Sequence, residues 1–223
     1  MMKITWAKIL LCGFLLLLLP FSTVEAQPAA ADSSCMVLID PAHGGSDTGV
    51  KVSKKGVEKD ITLAVALALK KQLEESDRKI TVCLTRTEDA AVSIDERIRM
   101  AEQLKPRALI SLHVNGGFGA GASGYEISFP GQQNITKESA EQHMNRSIRL
   151  GQRLQKSLEE VFPRKGRGIR EAPVPLLSVL HAPSVCVELA FLTNEADRDK
   201  IISAKTQKDV VQALAKGIRE YLK

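Results

Sequence analysis

Three short apolar runs in this chain stop at a side chain able to hold a metal or move a proton. Val37, Leu38 and Ile39 lead through Asp40, Pro41 and Ala42 into His43, Gly44 and Gly45. The run at 108–112 ends at His113, followed by Val114, Asn115, Gly116 and Gly117. The run at 184–187 ends at Glu188. Apolar runs of this length bounded by turn residues predict buried strands. Between them the period lengthens: Ile61, Val65, Ala68, Leu69 and Leu73 mark one face of a helix from Glu58 to about Glu75, and 80–84 returns to a strand. Strand, helix and strand again is the parallel crossover pattern. Ser93 with Glu96 forms a capping box, and Ile94, Ile98, Ala101 and Leu104 give the next helix a buried stripe that Pro106 ends. Residues 125–129 alternate like a strand, and a long helix over 137–161 turns Ile148, Gly151, Leu154, Leu158 and Val161 inward. Asn194 is placed to cap a helix with an acidic start, and Val210, Val211, Leu214, Ile218 and Leu222 close the chain with an amphipathic helix. The pattern predicts an α/β domain with a mostly parallel central sheet of about six strands and helices on both faces. Open sheets of this kind bind ligands at the carboxyl ends of their strands, so the three terminal side chains are expected to converge.

The amino terminus stands apart from this pattern. Lys3 and Lys8 precede an apolar stretch at 9–19, and Val24, Glu25 and Ala26 close it with small residues three apart, which predicts a leader at 1–26 cleaved after Ala26. The stretch is shorter than the ~20 residues of a membrane span, although an uncleaved anchor stays open. Residues 27–35 then form a short polar tether, and 36–223 the folded domain. Cleavage removes two lysines and one glutamate from a chain of net charge +5, leaving +4 over 197 residues. A mildly basic exported domain suits an anionic surface, and nucleic acid is excluded as a partner. Cys35, Cys83 and Cys186 would remain, an odd number, so at least one thiol is free in a single chain. None has the close spacing of a structural zinc site, and a Cys35–Cys83 bond stays open.

The candidate chemistry starts with Glu58. An acidic residue in a first helical turn gains about 0.3–1 kcal/mol from the helix dipole, so a capping role competes with a functional one. Beside two histidines the balance shifts, because two imidazoles and a carboxylate suit a zinc ion that keeps a fourth position open. Glu188 is set between apolar Val187 and Leu189, a setting that raises a carboxyl pKa towards useful acid–base range. The rival reading pairs Glu188 with an arginine such as Arg86. His143 falls in a polar helical stretch and His181 in a loop before Pro183. Gly119, Gly121 and Gly124 match the spacing of a dinucleotide loop, but the strand that follows them excludes that use. Arg164, Lys165, Arg167 and Arg170 form a basic turn, either solvated or in contact with the carboxylates of a peptide.

The His43–Gly45 turn, the segment 56–60, Leu84 with Thr85 and Arg86, the segment 111–115 and the segment 187–194 together resemble the zinc-dependent N-acetylmuramoyl-L-alanine amidases of the type named amidase 3. The resemblance runs from Val37 to the C-terminus. It departs at Ala42, where the family usually has glycine. It implies one zinc per chain on His43, Glu58 and His113, with Glu188 as the catalytic glutamate. The implied substrate is peptidoglycan, cut at the amide between the lactyl group of N-acetylmuramic acid and L-alanine, with Asn115 and Arg170 as candidate substrate contacts. In some relatives an inserted helix covers the metal; here only about 130–145 is free for one, which implies an accessible site. The expected protein is an exported monomer of the periplasm or the extracellular cell wall, with no membrane span after leader cleavage and any protein activator unidentified. A zinc peptidase cutting within the stem peptide, or a non-catalytic wall-binding protein on the same scaffold, remain the alternatives.

Overall fold

A computed structural model describes residues 36–54, 56–117, 121–131, 137–162, 167–179 and 182–223. The expected leader at 1–26, the tether at 27–35, Cys35, Gly119, Arg164, Lys165 and His181 lie outside these residues. In chain order the elements are β1 (Val37–Pro41), α1 (Glu58–Ser76), β2 (Val82–Leu84), α2 (Ile94–Leu104), β3 (Ala108–Asn115), β4 (Glu126–Phe129), α3 (Lys137–Leu158), β5 (Ile169–Glu171), β6 (Ser184–Phe191), α4 (Glu195–Ile201) and α5 (Ala204–Leu222). They build one six-stranded sheet in the order β2-β1-β3-β6-β4-β5. β1, β2, β3 and β6 run parallel, β4 is antiparallel to β6, and β5 is parallel to β4.

Strand alternation divides the sheet into two faces. Val37, Ile39, Ile110, Leu112, Val114, Val185 and Val187 belong to the larger core, shared with the inward faces of α1, α3 and α5. Leu38, Leu109 and Cys186 point the other way, against Ala101 of α2 and Leu176 and Leu177. Further along that second face the strands turn polar. Register sets Asp40 beside Ser111, and Ser111 beside Cys186, which pairs Ser128. One step nearer the carboxyl ends, His113 pairs Glu188, and Glu188 pairs Glu126 of β4. The smaller face thus passes from an apolar floor to a row of ionisable side chains, Glu126, Glu188 and His113.

Ser93 caps α2 as expected, accepting from Glu96 N at 3.3 Å while Glu96 Oε2 accepts from Ser93 N at 2.8 Å. Several boundaries differ from the sequence pattern. β2 begins at Val82 rather than at 80. β6 continues past Glu188 to Phe191, because Leu189, Ala190 and Phe191 are buried too. Part of the expected basic turn is the edge strand β5, anchored where Ile169 packs on the core. Between β4 and α3 no helix occurs among the described residues. No described helix is long and apolar enough to cross a membrane.

Candidate metal centre

His43 leaves β1 in the left-handed backbone region, at φ 62, which costs a non-glycine residue of order 1–3 kcal/mol and needs surrounding structure to hold it. Two ties supply this. Gly44 and Asp47 exchange backbone hydrogen bonds of 2.9 and 3.1 Å across the turn. Arg97 Nη2 donates to the His43 carbonyl at 2.9 Å. Arg97 itself is buried, 5% exposed, against Asp40 at 2%. Its Nη1 pairs with Asp40 Oδ1, which also accepts from Thr85 at 2.6 Å, while Asp40 Oδ2 accepts from Ser111 at 2.7 Å. Every strong acceptor of the buried carboxylate is occupied, so the cluster forms a rigid base under the turn.

The ring of His43 is aimed from behind. Its Nδ1 meets Asp47 Oδ2 at 2.8 Å, which leaves Nε2 directed at Glu58 Oε1, 3.1 Å away. The same oxygen lies 3.1 Å from His113 Nδ1 and accepts the Val114 N–H at 3.0 Å. Glu58 Oε2 accepts the Val50 N–H at 2.9 Å. The two imidazoles stand edge to face with centroids 5.4 Å apart. His43, Glu58 and His113 each present a ligand atom, and these lie within 4.8 Å of one another. The approach is so close at Gly49, φ 59, that a Cβ there would stand 2.5 Å from Glu58 Oε2 and 2.6 Å from His43 Cδ2.

The electrostatics follow from this packing. Hydrogen bonding to Glu58 pushes His43 up to about 9 against the opposing effect of burial. Burial pushes Glu58 up, but hydrogen bonds from His113, His43 and the Val50 amide outweigh it and bring it down to about 2. Burial lowers His113, and Glu58 and Glu188 together more than reverse that, leaving it raised. Burial drives Glu188 the other way, up to about 7, with Glu58 and Glu126 adding repulsion. Glu188 Oε2 is buried without a hydrogen-bond partner among the described residues.

Arg86 does not pair with Glu188. Its Nε donates to Pro41 O at 3.0 Å, and its Nη2 to Ala42 O at 3.0 Å and Lys59 O at 2.8 Å, tying the His43 turn to the start of α1. Asn115 ends β3 opposite Phe191, beyond a register shift, and its carbonyl accepts the Leu192 N–H at 2.8 Å. Arg170 reaches Glu126 Oε1 at 2.5–2.8 Å and Arg167 reaches Glu126 Oε2 at 3.0 Å, so the basic segment neutralises the carboxylate beside Glu188. His143, assigned from sequence to a polar stretch, is 2% exposed and lies 2.6 Å from Ala182 O, a structural role inside the fold. Asp40, Asp47 and Arg97 were assigned no role from the sequence. Asp47 could have been found from its place four residues after His43 in a glycine turn, whereas nothing local marks the pairing of Asp40 with Arg97.

Residues 37–220 match the protein family described as N-acetylmuramoyl-L-alanine amidase (Amidase_3). The chain is 33% identical over 220 residues to the uncharacterized protein YqiI of Bacillus subtilis (strain 168), covering 99% of this chain and 98% of that one. It is 31% identical over 183 residues to the N-acetylmuramoyl-L-alanine amidase CwlM of Bacillus licheniformis, covering 82% of this chain and 66% of CwlM. Among solved structures, the catalytic domain of the N-acetylmuramoyl-L-alanine amidase CwlV from Bacillus (Paenibacillus) polymyxa var. colistinus is similar, with a TM-score of 0.70 at 28% identity over 83% of this chain and 97% of that domain.

Proposed function

The chain belongs to the N-acetylmuramoyl-L-alanine amidase family, and from that premise we propose that it is a zinc-dependent peptidoglycan amidase that hydrolyses the amide between the lactyl group of N-acetylmuramic acid and L-alanine. One observation carries the reading: three candidate ligand atoms converge near the strand ends while the carboxylate of Glu188, on the adjacent strand, has a buried oxygen without a partner among the described residues. Two imidazoles and a carboxylate fit zinc with room for substrate or water, and a structural site would need a fourth side chain. We assign His43, Glu58 and His113 to that role. Asp47 and the amides of Val50 and Val114 hold two of these ligands in orientation, the outer support that metal ligands depend on. Zinc bound there would polarise the scissile carbonyl and acidify the attacking water.

Glu188 takes the proton of that water and returns it to the departing amine nitrogen of L-alanine. Its raised pKa, about 7, lets it hold and release a proton near neutrality. Arg170 is 60% exposed beside Glu126, which leaves guanidinium donors for a stem carboxylate, and Asn115 stands at the end of the same sheet. An exported protein meeting the cell wall suits the substrate.

Mass spectrometry of purified peptidoglycan digested by the protein tests this, with zinc, with a chelator and with Glu188→Ala. Release of intact stem peptides beginning at L-alanine, abolished by the chelator and by the substitution, is the expected result. Cleavage within the stem would replace the amidase with a peptidase. An undigested wall in the presence of bound zinc would remove the catalytic reading.

A further inference from the structure

We infer that the domain carries a second ligand site, a pocket for phosphate esters, at the end of the sheet opposite the metal centre. Lys105, Arg107, Arg146, Arg149 and Lys223, with Tyr221, line a cavity of about 740 Å³. Among the described residues, Glu102 is the one acidic side chain on its wall. None of the five cations makes an ion pair among the described residues. Elsewhere some exposed cations find carboxylates, as Lys205 meets Asp209 at 3.0 Å and Lys216 meets Glu160 at 2.6 Å, while others such as Arg78 and Lys208 form no ion pair among the described residues. What distinguishes this cluster is the convergence of five cations on one cavity.

The cluster is also ordered around its cavity. Arg146 and Arg149 stand three residues apart on one face of α3. Arg107 Nη2 donates to the Leu222 carbonyl at 3.0 Å, which fixes that guanidinium on the wall. Tyr221 lines the same cavity as Arg146, Arg149 and Arg107; burial raises its hydroxyl and the three guanidiniums act on it in the opposite sense. Ala101 and Pro183 add an apolar floor. Arginine forks in such number suit the several oxygens of a phosphate better than a single carboxylate. The volume exceeds a bare phosphate and falls within the roughly 300–1,000 Å³ of small-molecule sites, leaving room for the carbon portion of a monoester or diester.

The site is separate from the catalytic one. Arg107 and Pro183 immediately precede β3 and β6, whereas His113 and Glu188 lie five or so residues further along these strands, roughly 17 Å at the rise of a parallel strand. A phosphate ester bound there leaves the metal centre accessible, and the inference does not rest on the amidase reading.

Titration of the full-length chain with inorganic phosphate, followed by calorimetry and by NMR of Tyr221, tests the pocket. Saturable binding that shifts Tyr221, weakened at least tenfold by Arg146→Glu combined with Arg149→Glu, is expected, with zinc content unchanged. Lys105→Glu, on another element, should weaken it as well. Binding of equal strength in the wild type and the variants, or shifts confined to the metal centre, would overturn the proposal. Sedimentation with vesicles of phosphatidylglycerol in phosphatidylcholine then separates the sources. Extra retention that the double variant loses assigns the ester to a lipid headgroup, and equal retention of both proteins assigns it to a soluble phosphate ester.

Discussion

An ionised Glu188 is repelled by Glu58 and Glu126 and has one oxygen unpartnered among the described residues, so the feature that suits it to proton transfer also costs stability. Its pKa rises from the ordinary 4.5 to about 7 on folding. The folded protein therefore holds this proton longer than the unfolded chain does, and stability is lost as pH rises from about 4.5 through about 7. The full penalty, present above that window, is at most about 3 kcal/mol for a shift of this size. Glu188→Gln should then raise the melting temperature of the chelator-treated protein at pH 8 and leave it unchanged at pH 4, while lowering stem-peptide release by about 10²–10⁴-fold. Calorimetry at the two pH values checks it, and a Gln variant that melts lower at pH 8 would sink the argument. Arg97 predicts the opposite balance. Removing one partner of a buried ion pair costs about 3–5 kcal/mol because the other charge is left uncompensated. Arg97→Leu strands Asp40 and also frees the His43 carbonyl. Denaturant melts should show that loss, and competition with a chromophoric chelator should show zinc held at least tenfold more weakly, the scale expected when support behind a ligand is removed.

Elements set where these side chains can meet, and helix packing makes a separate prediction. Gly217 of α5 lies so close to α3 that a Cβ would stand 2.9 Å from Arg153 O and 3.0 Å from Leu154 Cα. In an open helix, Gly→Ala gains about 0.8–1 kcal/mol. Here the obstructing atoms are backbone, so overpacking of about 1–3 kcal/mol outweighs that gain. Gly217→Ala should lower the denaturation midpoint without altering zinc affinity, and a more stable variant would contradict the packing. Local pattern disclosed much at this scale. His43 and His113 were legible because each follows an apolar run and precedes glycine, and Glu58 because it opens a periodic helix. Glu188 was found for an incomplete reason: it sits inside β6, where a polar residue interrupting an apolar run looks like a strand end. His143 was hidden by its neighbours Glu141 and Gln142, which are exposed on the same turn of α3 while it points inward with Ser147. The pairing of Arg97 with Asp40 spans 57 residues and leaves no periodicity to read.

Across the whole molecule, the candidate metal centre joins the turn after β1, the start of α1 and the end of β3, so a metal bound there would tie together segments far apart in sequence. A ligand that binds the folded state alone stabilises it by about 4 kcal/mol at a thousand times its dissociation constant. Protons compete for the same atoms. His43 is held up to about 9 and His113 is also raised, so at neutral pH zinc must displace at least one proton to bind. The sign is fixed by that exchange: lowering the pH below about 9 favours the protonated imidazoles and weakens zinc, by about tenfold per unit for each proton released. Glu58, already down at about 2, stays ionised throughout and adds nothing to this slope. The apparent zinc dissociation constant should therefore fall at least tenfold per unit between pH 6 and 8 and level off above about 9. The zinc-dependent rise in melting temperature should grow over the same interval. Chelator competition and calorimetry at matched pH values measure the two quantities independently. A zinc affinity that does not change with pH would mean that the imidazoles of His43 and His113 are not the atoms the metal binds.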